Sequence, residues 1–215
     1  MEAVVLARPI NAAPVAADFR IVAAPTPEPR ADEILVRALY LSLDPYVGSV
    51  LRGRHMGERP PAVGETIPGR GVGEVVAARA AGFAEGDLVR ADLGWRTHAA
   101  VAAAAAEKID ADAAPLSAQL GVAGMPGLTA WAGMKHLAEA TTGDAVLVSS
   151  AAGAVGGAAG QIARLLGAST VVGLAGGPEK CRSVTSVYGF DDAIDYRSPD
   201  WKDRLNAAFP RGISV

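Results

Sequence analysis

The residues best placed to do chemistry lie in two small-residue turns, Ala151-Ala152-Gly153-Ala154-Val155-Gly156 and Leu174-Ala175-Gly176-Gly177, the second followed closely by Lys180. The first turn comes directly after Val146-Leu147-Val148-Ser149-Ser150, a run with the length and branching of a buried parallel strand. Gly153 lets the backbone approach a pyrophosphate with no Cβ in the way, and Gly156 lets the next helix lie close to the strand. The pattern is A-x-G-x-x-G, so Ala151 departs from the usual first glycine. The turn makes Ala152, Gly153, Ala154, Val155 and Gly156 candidate contacts to the phosphates of a dinucleotide.

The elements that must hold such a turn are legible on both sides of it. Val155, Ala159, Ile162, Ala163 and Leu166 recur at helical spacing, so a helix is predicted over 155–166, with the free N–H groups of its first turn facing the phosphates. Gly167 closes that helix, and Thr170-Val171-Val172-Gly173-Leu174 supplies a parallel partner strand. At the end of this second strand a site for NAD usually carries an Asp or Glu for the ribose hydroxyls. Here the chain has Leu174-Ala175-Gly176-Gly177 and then Lys180, which would attract a 2′-phosphate and favours NADPH over NADH. On spacing alone the same lysine reads equally as a solvated charge beside Glu179.

The 215 residues, half of them apolar, can bury one or two cores. Twenty Lys and Arg against 23 acids give a net charge of −3, and no basic block could track a nucleic acid backbone, so nucleic acid is excluded as a partner. No apolar run reaches the roughly 18 residues of a bilayer span, and no signal core follows the N-terminus, so a cytoplasmic protein without membrane contact is expected. The one cysteine, Cys181, excludes an internal disulfide, and it is expected as a small, partly buried thiol on the helix after Gly177. No Cys/His cluster has zinc spacing, and His55, His98 and His136 lack partners for a metal or a triad.

Up to about Val101 the chain reads as short strands, at 4–7, 19–22, 33–42, 71–78 and 87–91. In the longest, Ile34, Val36, Ala38 and Tyr40 alternate with Leu35, Arg37, Leu39 and Leu41, so apolar groups on both faces place it inside a small barrel or sandwich. Pro25-Thr26-Pro27-Glu28-Pro29 and Glu58-Arg59-Pro60-Pro61 are extended or turning segments. The composition of 101–106 does not decide between helix and strand. A helix is predicted over 128–140, ended by Gly143.

Leu41-Ser42-Leu43-Asp44-Pro45-Tyr46, Gly94-Trp95-Arg96-Thr97-His98, Gly124-Met125-Pro126-Gly127-Leu128-Thr129-Ala130, the Ala151–Gly156 turn and Gly176-Gly177-Pro178-Glu179-Lys180-Cys181 occur in one order. Together they resemble the zinc-independent medium-chain dehydrogenases/reductases of the leukotriene B4 12-hydroxydehydrogenase, prostaglandin reductase and alkenal double-bond reductase group, over essentially the whole chain. The resemblance implies an α/β fold: a GroES-like β-barrel domain, here 1–118, followed by a Rossmann domain, a doubly wound parallel sheet, here 119–215 and incomplete. It implies NADP(H) in the cleft between them, with hydride passing to the β-carbon of an α,β-unsaturated ketone or aldehyde as the small-molecule substrate, and a homodimer when full-length. A hydrogen-bond donor aimed at the developing enolate would stabilise the transition state more than the ground state.

By the same resemblance Tyr46 reaches the substrate cleft; the lesser alternative is a barrel-edge tyrosine with its hydroxyl in water. Met125 and Thr129 match positions beside the nicotinamide, against interdomain packing and helix capping. Gly153 and Val155 match the pyrophosphate turn, Lys180 the lysine that grips the 2′-phosphate beside Gly176, and Tyr196 a tyrosine against the same phosphate. Asp44 stands where zinc-dependent relatives would place a cysteine, and Gly69-Arg70-Gly71-Val72-Gly73-Glu74 lies near where a histidine would be expected, so no metal is expected.

Two features depart from the family. Val47-Gly48-Ser49-Val50 replaces the usual Met-Arg-Gly-Arg after Tyr46. A third strand at 193–196 and a helix at 200–208 are followed by a fourth strand barely begun at Ile213-Ser214-Val215, so the chain is expected to be the front part of a reductase, and whether this form turns over stays open. Three readings result: an enone or alkenal reductase, a quinone reductase of the same superfamily, and a nucleotide-binding module without turnover.

Overall fold

The computed structural model describes residues 1–57 and 59–215; Glu58, the first residue of the 58–61 segment expected to be extended or turning, lies outside the described residues. The chain divides into two units, Met1–Leu120 and Gly121–Val215. No helix among the described residues is long and apolar enough to cross a membrane.

The first unit is a GroES-like β domain. β1 (Glu2–Leu6) and β2 (Phe19–Ala23) pair antiparallel. β3 (Glu33–Leu41), β4 (Arg70–Ala78), β5 (Leu88–Asp92), β6 (His98–Ala102) and β7 (Glu107–Lys108) form an antiparallel sheet in the order β6-β3-β4-β5-β7. Bridges Ala3–Arg96 and Val5–Thr66 tie β1 to the segments next to that sheet. Ile34, Val36, Val75, Val89, Leu93 and Ala99 form one core, which is why their strands are rich in branched residues.

The expectation that β3 is buried on two apolar faces does not hold: Ile34 and Val36 share one face, while on the other Leu35 is only partly buried and Arg37 is exposed. Ile34 and Val36 are fully buried, whereas Leu39, Tyr40 and Leu41 are exposed. The reason is pairing: β6 accompanies β3 only from Glu33 to Arg37, and the register against β4 slips between Ala38 and Tyr40. Beyond Arg37 no strand among the described residues continues along that edge of β3.

The stretch 101–106 holds the end of β6 and a 3-10 turn, Ala103–Ala105. A helix no expectation covers, α1 (Pro45–Leu51), follows β3. Pro45 sits in its first turn, where a missing N–H costs nothing, and Val47, Val50 and Leu51 fall at helical spacing and are buried.

The second unit is a Rossmann half. β8 (Ala145–Val148), β9 (Thr170–Ala175) and β10 (Asp192–Asp195) are parallel in the order β10-β9-β8, joined by α3 (Ala154–Leu165) and α4 (Pro178–Ser186). This is the 3-2-1 arrangement of one half of a doubly wound sheet. Alternation shows both faces covered. Val171 and Ala193 pack in a core with Ala159, Ala163, Val184 and Phe190, while Val172 and Ile194 pack on the other side with Phe209 and with Trp201 and Leu205 of α5 (Trp201–Ala208).

Two boundaries differ from expectation. The helix expected over 128–140 begins earlier, as α2 (Met125–Ala132), passes into a π turn at Gly133–Leu137, and is stopped by Glu139 at φ 50° rather than by Gly143. The stretch 213–215 is not a strand, yet the Leu147 N–H donates to the Val215 carbonyl at 2.9 Å and the Ser214 N–H to the Ala145 carbonyl at 2.9 Å. It therefore lies along the edge of β8 that β9 leaves free.

Gly160 on α3 tests this packing. A Cβ there would overlap the ring of the buried Phe190. Alanine favours a helix over glycine by about 1 kcal/mol, but overpacking costs about 1–3 kcal/mol, so Gly160→Ala should lower the stability of the second unit. Urea unfolding checks this: a midpoint that rises would mean the ring has room to move aside.

Candidate functional site

The site is assembled at the C-terminal ends of parallel strands, where open α/β sheets bind ligands. β8 ends at Val148, two residues before the expected limit, because Ser150 turns to φ 51° and points its carbonyl at the following loop. The Gly153 N–H donates to that carbonyl at 2.8 Å, closing the turn. Gly153 then precedes α3, and no side chain caps the helix. The amides of Ala154, Val155 and Gly156 have no partner within α3, which leaves them for an anion. Gly156 is buried, and a Cβ on it would overlap the Ser150 carbonyl oxygen, so only glycine lets α3 start this close to the strand end.

β9 ends in the same region. Ala175, Gly176 and Lys180 join Ser150, Ala152, Gly153 and Tyr196 around a pocket of about 190 Å³. Among the described residues no carboxylate lines it. A Cβ at Gly176 would lie 2.5 Å from the Tyr196 hydroxyl oxygen, so the tyrosine rests directly on this turn. Gly177 has φ 101°, a backbone only glycine adopts without strain, and begins α4, on whose first turn Lys180 stands exposed. Among the described residues the Lys180 ammonium enters no ion pair, which distinguishes it from a charge matched by Glu179.

Asp195, at the end of β10, ties the two loops together. One carboxylate oxygen accepts the Gly177 N–H at 2.9 Å and the Arg197 N–H at 3.0 Å. These two amides, with the nearby Arg197 and Arg204 charges, hold the carboxyl below its ordinary range. Sequence reasoning assigns Asp195 and Arg197 nothing. The one available signal is their position on either side of Tyr196.

The other candidates are not gathered into this pocket. Ala154 lines a neighbouring hollow of about 290 Å³ with Gly153, Gly157 and Tyr188, and Val155 is exposed at the start of α3. Met125 is exposed on α2, and the Thr129 hydroxyl donates to the Met125 carbonyl at 2.8 Å. Tyr46, in the first unit, packs partly buried against the cluster of Leu6, Ile10, Val47, Leu51 and Ile67, with its ring centroid 5.4 Å from that of His55. Trp95 of the Gly94–His98 motif stacks on Phe19 at 5.8 Å, and Arg96 Nε donates to the Leu93 carbonyl at 2.6 Å, so this motif braces β1 and β2 against the sheet. Cys181 is half-buried on α4 with its thiol 4.0 Å from the Ala175 carbonyl, and burial pushes its pKa up.

Two family models match the chain: an N-terminal domain of oxidoreductase over residues 2–109 and a zinc-binding dehydrogenase over residues 154–215. The NADPH-dependent curcumin reductase of Escherichia coli is 37% identical over 215 residues, covering 98% of this chain and 61% of its own length. The NADP-dependent 2-alkenal reductase of Nicotiana tabacum is 38% identical over 190 residues, covering 86% of this chain and 54% of its own. The crystal structure of CurA from Vibrio vulnificus in complex with NADPH superposes with a TM-score of 0.90 at 34% identity, over 99% of this chain and 63% of that one. The chain thus spans 54–63% of the length of these relatives. The second model's description implies zinc, but the residues present do not fit it: among the described residues no three His, Cys, Asp or Glu side chains converge.

The Asp195 staple has a measurable pH dependence. A carboxyl depressed by folding contributes stability that is complete above its unfolded pKa of about 4 and disappears as pH falls through the folded value. Asp195→Asn should therefore melt below the parent protein at pH 7, with the gap closing as the pH drops below about 4. A gap unchanged across that range would show that the charge contributes nothing.

Proposed function

The chain belongs to the zinc-independent medium-chain dehydrogenases/reductases of the prostaglandin reductase and alkenal reductase group, and from that premise we propose that it binds NADPH through its second unit and serves the reduction of a C=C bond conjugated to a carbonyl. The observation that carries this reading is the pocket at the ends of β8 and β9: an uncapped helix start beside Gly153, a second strand that ends in glycines where an acid would meet the ribose, and a lysine with no ion pair among the described residues. The residues fit the group. The amides after Gly153 would take the pyrophosphate, while Lys180 and Tyr196 would take the 2′-phosphate.

Bound NADPH would supply the hydride for the β-carbon of the enone or alkenal. The contribution of this chain's own residues is to bind and orient. α3 and the turn at Gly176 fix the adenosine end, so that binding energy far from the reacting carbon is available for positioning. On the first unit, Tyr46 is the proposed donor to the carbonyl oxygen as negative charge develops there. The names of the relatives support the substrate class, since a 2-alkenal is an unsaturated aldehyde.

Lys180→Ala should weaken NADPH by about 1.5–3 kcal/mol while leaving NADH nearly unchanged, as expected for one charge-assisted contact to a phosphate. Fluorescence titration of the reduced nicotinamide measures both, and equal weakening would place the lysine away from the 2′-phosphate. For the reaction, the purified protein with NADPH should consume coenzyme with an alkenal. Oxidation with benzoquinone alone would favour the quinone reductase reading, and binding without oxidation by either acceptor would describe a nucleotide-binding module.

A further inference from the structure

We propose that Arg197 is a second specificity-determining cation of the nucleotide pocket, acting with Lys180 to select a 2′-phosphorylated adenosine; the proposal rests on the NADPH reading above. The guanidinium lies over the same glycine turn as Tyr196. A Cβ at Gly176 would sit 3.1 Å from Arg197 Nε, and one at Gly177 would sit 3.9 Å from Arg197 Nη1. The guanidinium carbon is 5.8 Å from the centroid of the Tyr196 ring, so ring and cation form one layer across the turn.

Its charge acts on Asp195 from a distance but is not tied up in a contact ion pair among the described residues. The neighbouring arginines are matched, Arg164 to Asp191 at 2.6 Å and Arg204 to Asp192 at 3.5 Å, but among the described residues Arg197 has no ion pair. The acid closest in sequence, Asp195, uses one carboxylate oxygen on the two amides of Gly177 and Arg197. That arrangement fixes the backbone of Arg197 beside the Gly177 turn. In a chain of net charge −3, two exposed cations that form no ion pair among the described residues thus flank one glycine turn, whose Gly177 amide Asp195 holds. A lysine offers a phosphate a point charge, whereas an arginine offers a planar fork that binds two oxygens, so the pair suits a terminal phosphate monoester better than a ribose hydroxyl.

The test titrates NADPH and NADH, by nicotinamide fluorescence, into the parent protein, Lys180→Ala, Arg197→Ala and Arg197→Lys. Arg197→Ala should weaken NADPH about five- to twentyfold, an exposed charge-assisted contact being worth less than a buried one, and should move NADH by less than about twofold. Arg197→Lys should recover part of the loss. NADPH affinity unchanged in Arg197→Ala, or equal losses for both coenzymes, overturns the proposal. If Lys180→Ala erodes the NADPH preference and Arg197→Ala does not, only this proposal fails. A parent protein that binds both coenzymes equally rejects the NADPH reading itself, and this proposal with it.

Discussion

The closeness of α3 to the end of β8 is the constraint on which the second unit depends. The Ser150 carbonyl occupies the space where a side chain on Gly156 would have to go, so the helix begins almost on top of the strand. That proximity points the open end of the helix at the strand tips. It also brings α3 onto the sheet, where Ala159 and Ala163 meet Val171 and Phe190 in one core. The same choice of small residues therefore serves packing and ligand approach, and neither use can be inferred from the other.

Around that contact the turns are held by backbone groups more than by side chains. Ser150 accepts from Gly153, and Asp195 accepts from Gly177 and Arg197, so the loops after β8 and β10 are each pinned by short-range hydrogen bonds. The side chains that face the pocket, Lys180 and Tyr196, are left largely exposed and free of structural duties. Such a division lets the loops be rigid while the charged groups stay available.

Much of this was legible from residue order. The alternation of apolar runs with small-residue turns between 145 and 196 specifies parallel strands with helical crossovers, because strands covered on both faces must be apolar throughout. What escaped had local causes. α1 is short and opens on Pro45, which reads as a break until it is seen in the first turn. The end of α2 is set by a π turn and by Glu139 in the left-handed region, neither of which has a sequence signature. Leu39, Tyr40 and Leu41 look like core residues, and their exposure follows from where β6 stops. Arg197 was invisible as a site residue because its position over Gly176 depends on two loops separated by 20 residues meeting at one sheet edge.

The half-buried cysteine on α4 gains a meaning in this setting. Conjugated aldehydes and ketones are electrophiles that alkylate thiolates by Michael addition, so an enzyme that handles them is exposed to self-inactivation. Cys181 is the one thiol in the chain, and its burial pushes the pKa up, favouring the thiol over the thiolate. A protonated, partly covered sulfur is a poor nucleophile, so the helix that carries Lys180 offers little purchase to Michael acceptors such as conjugated aldehydes and ketones.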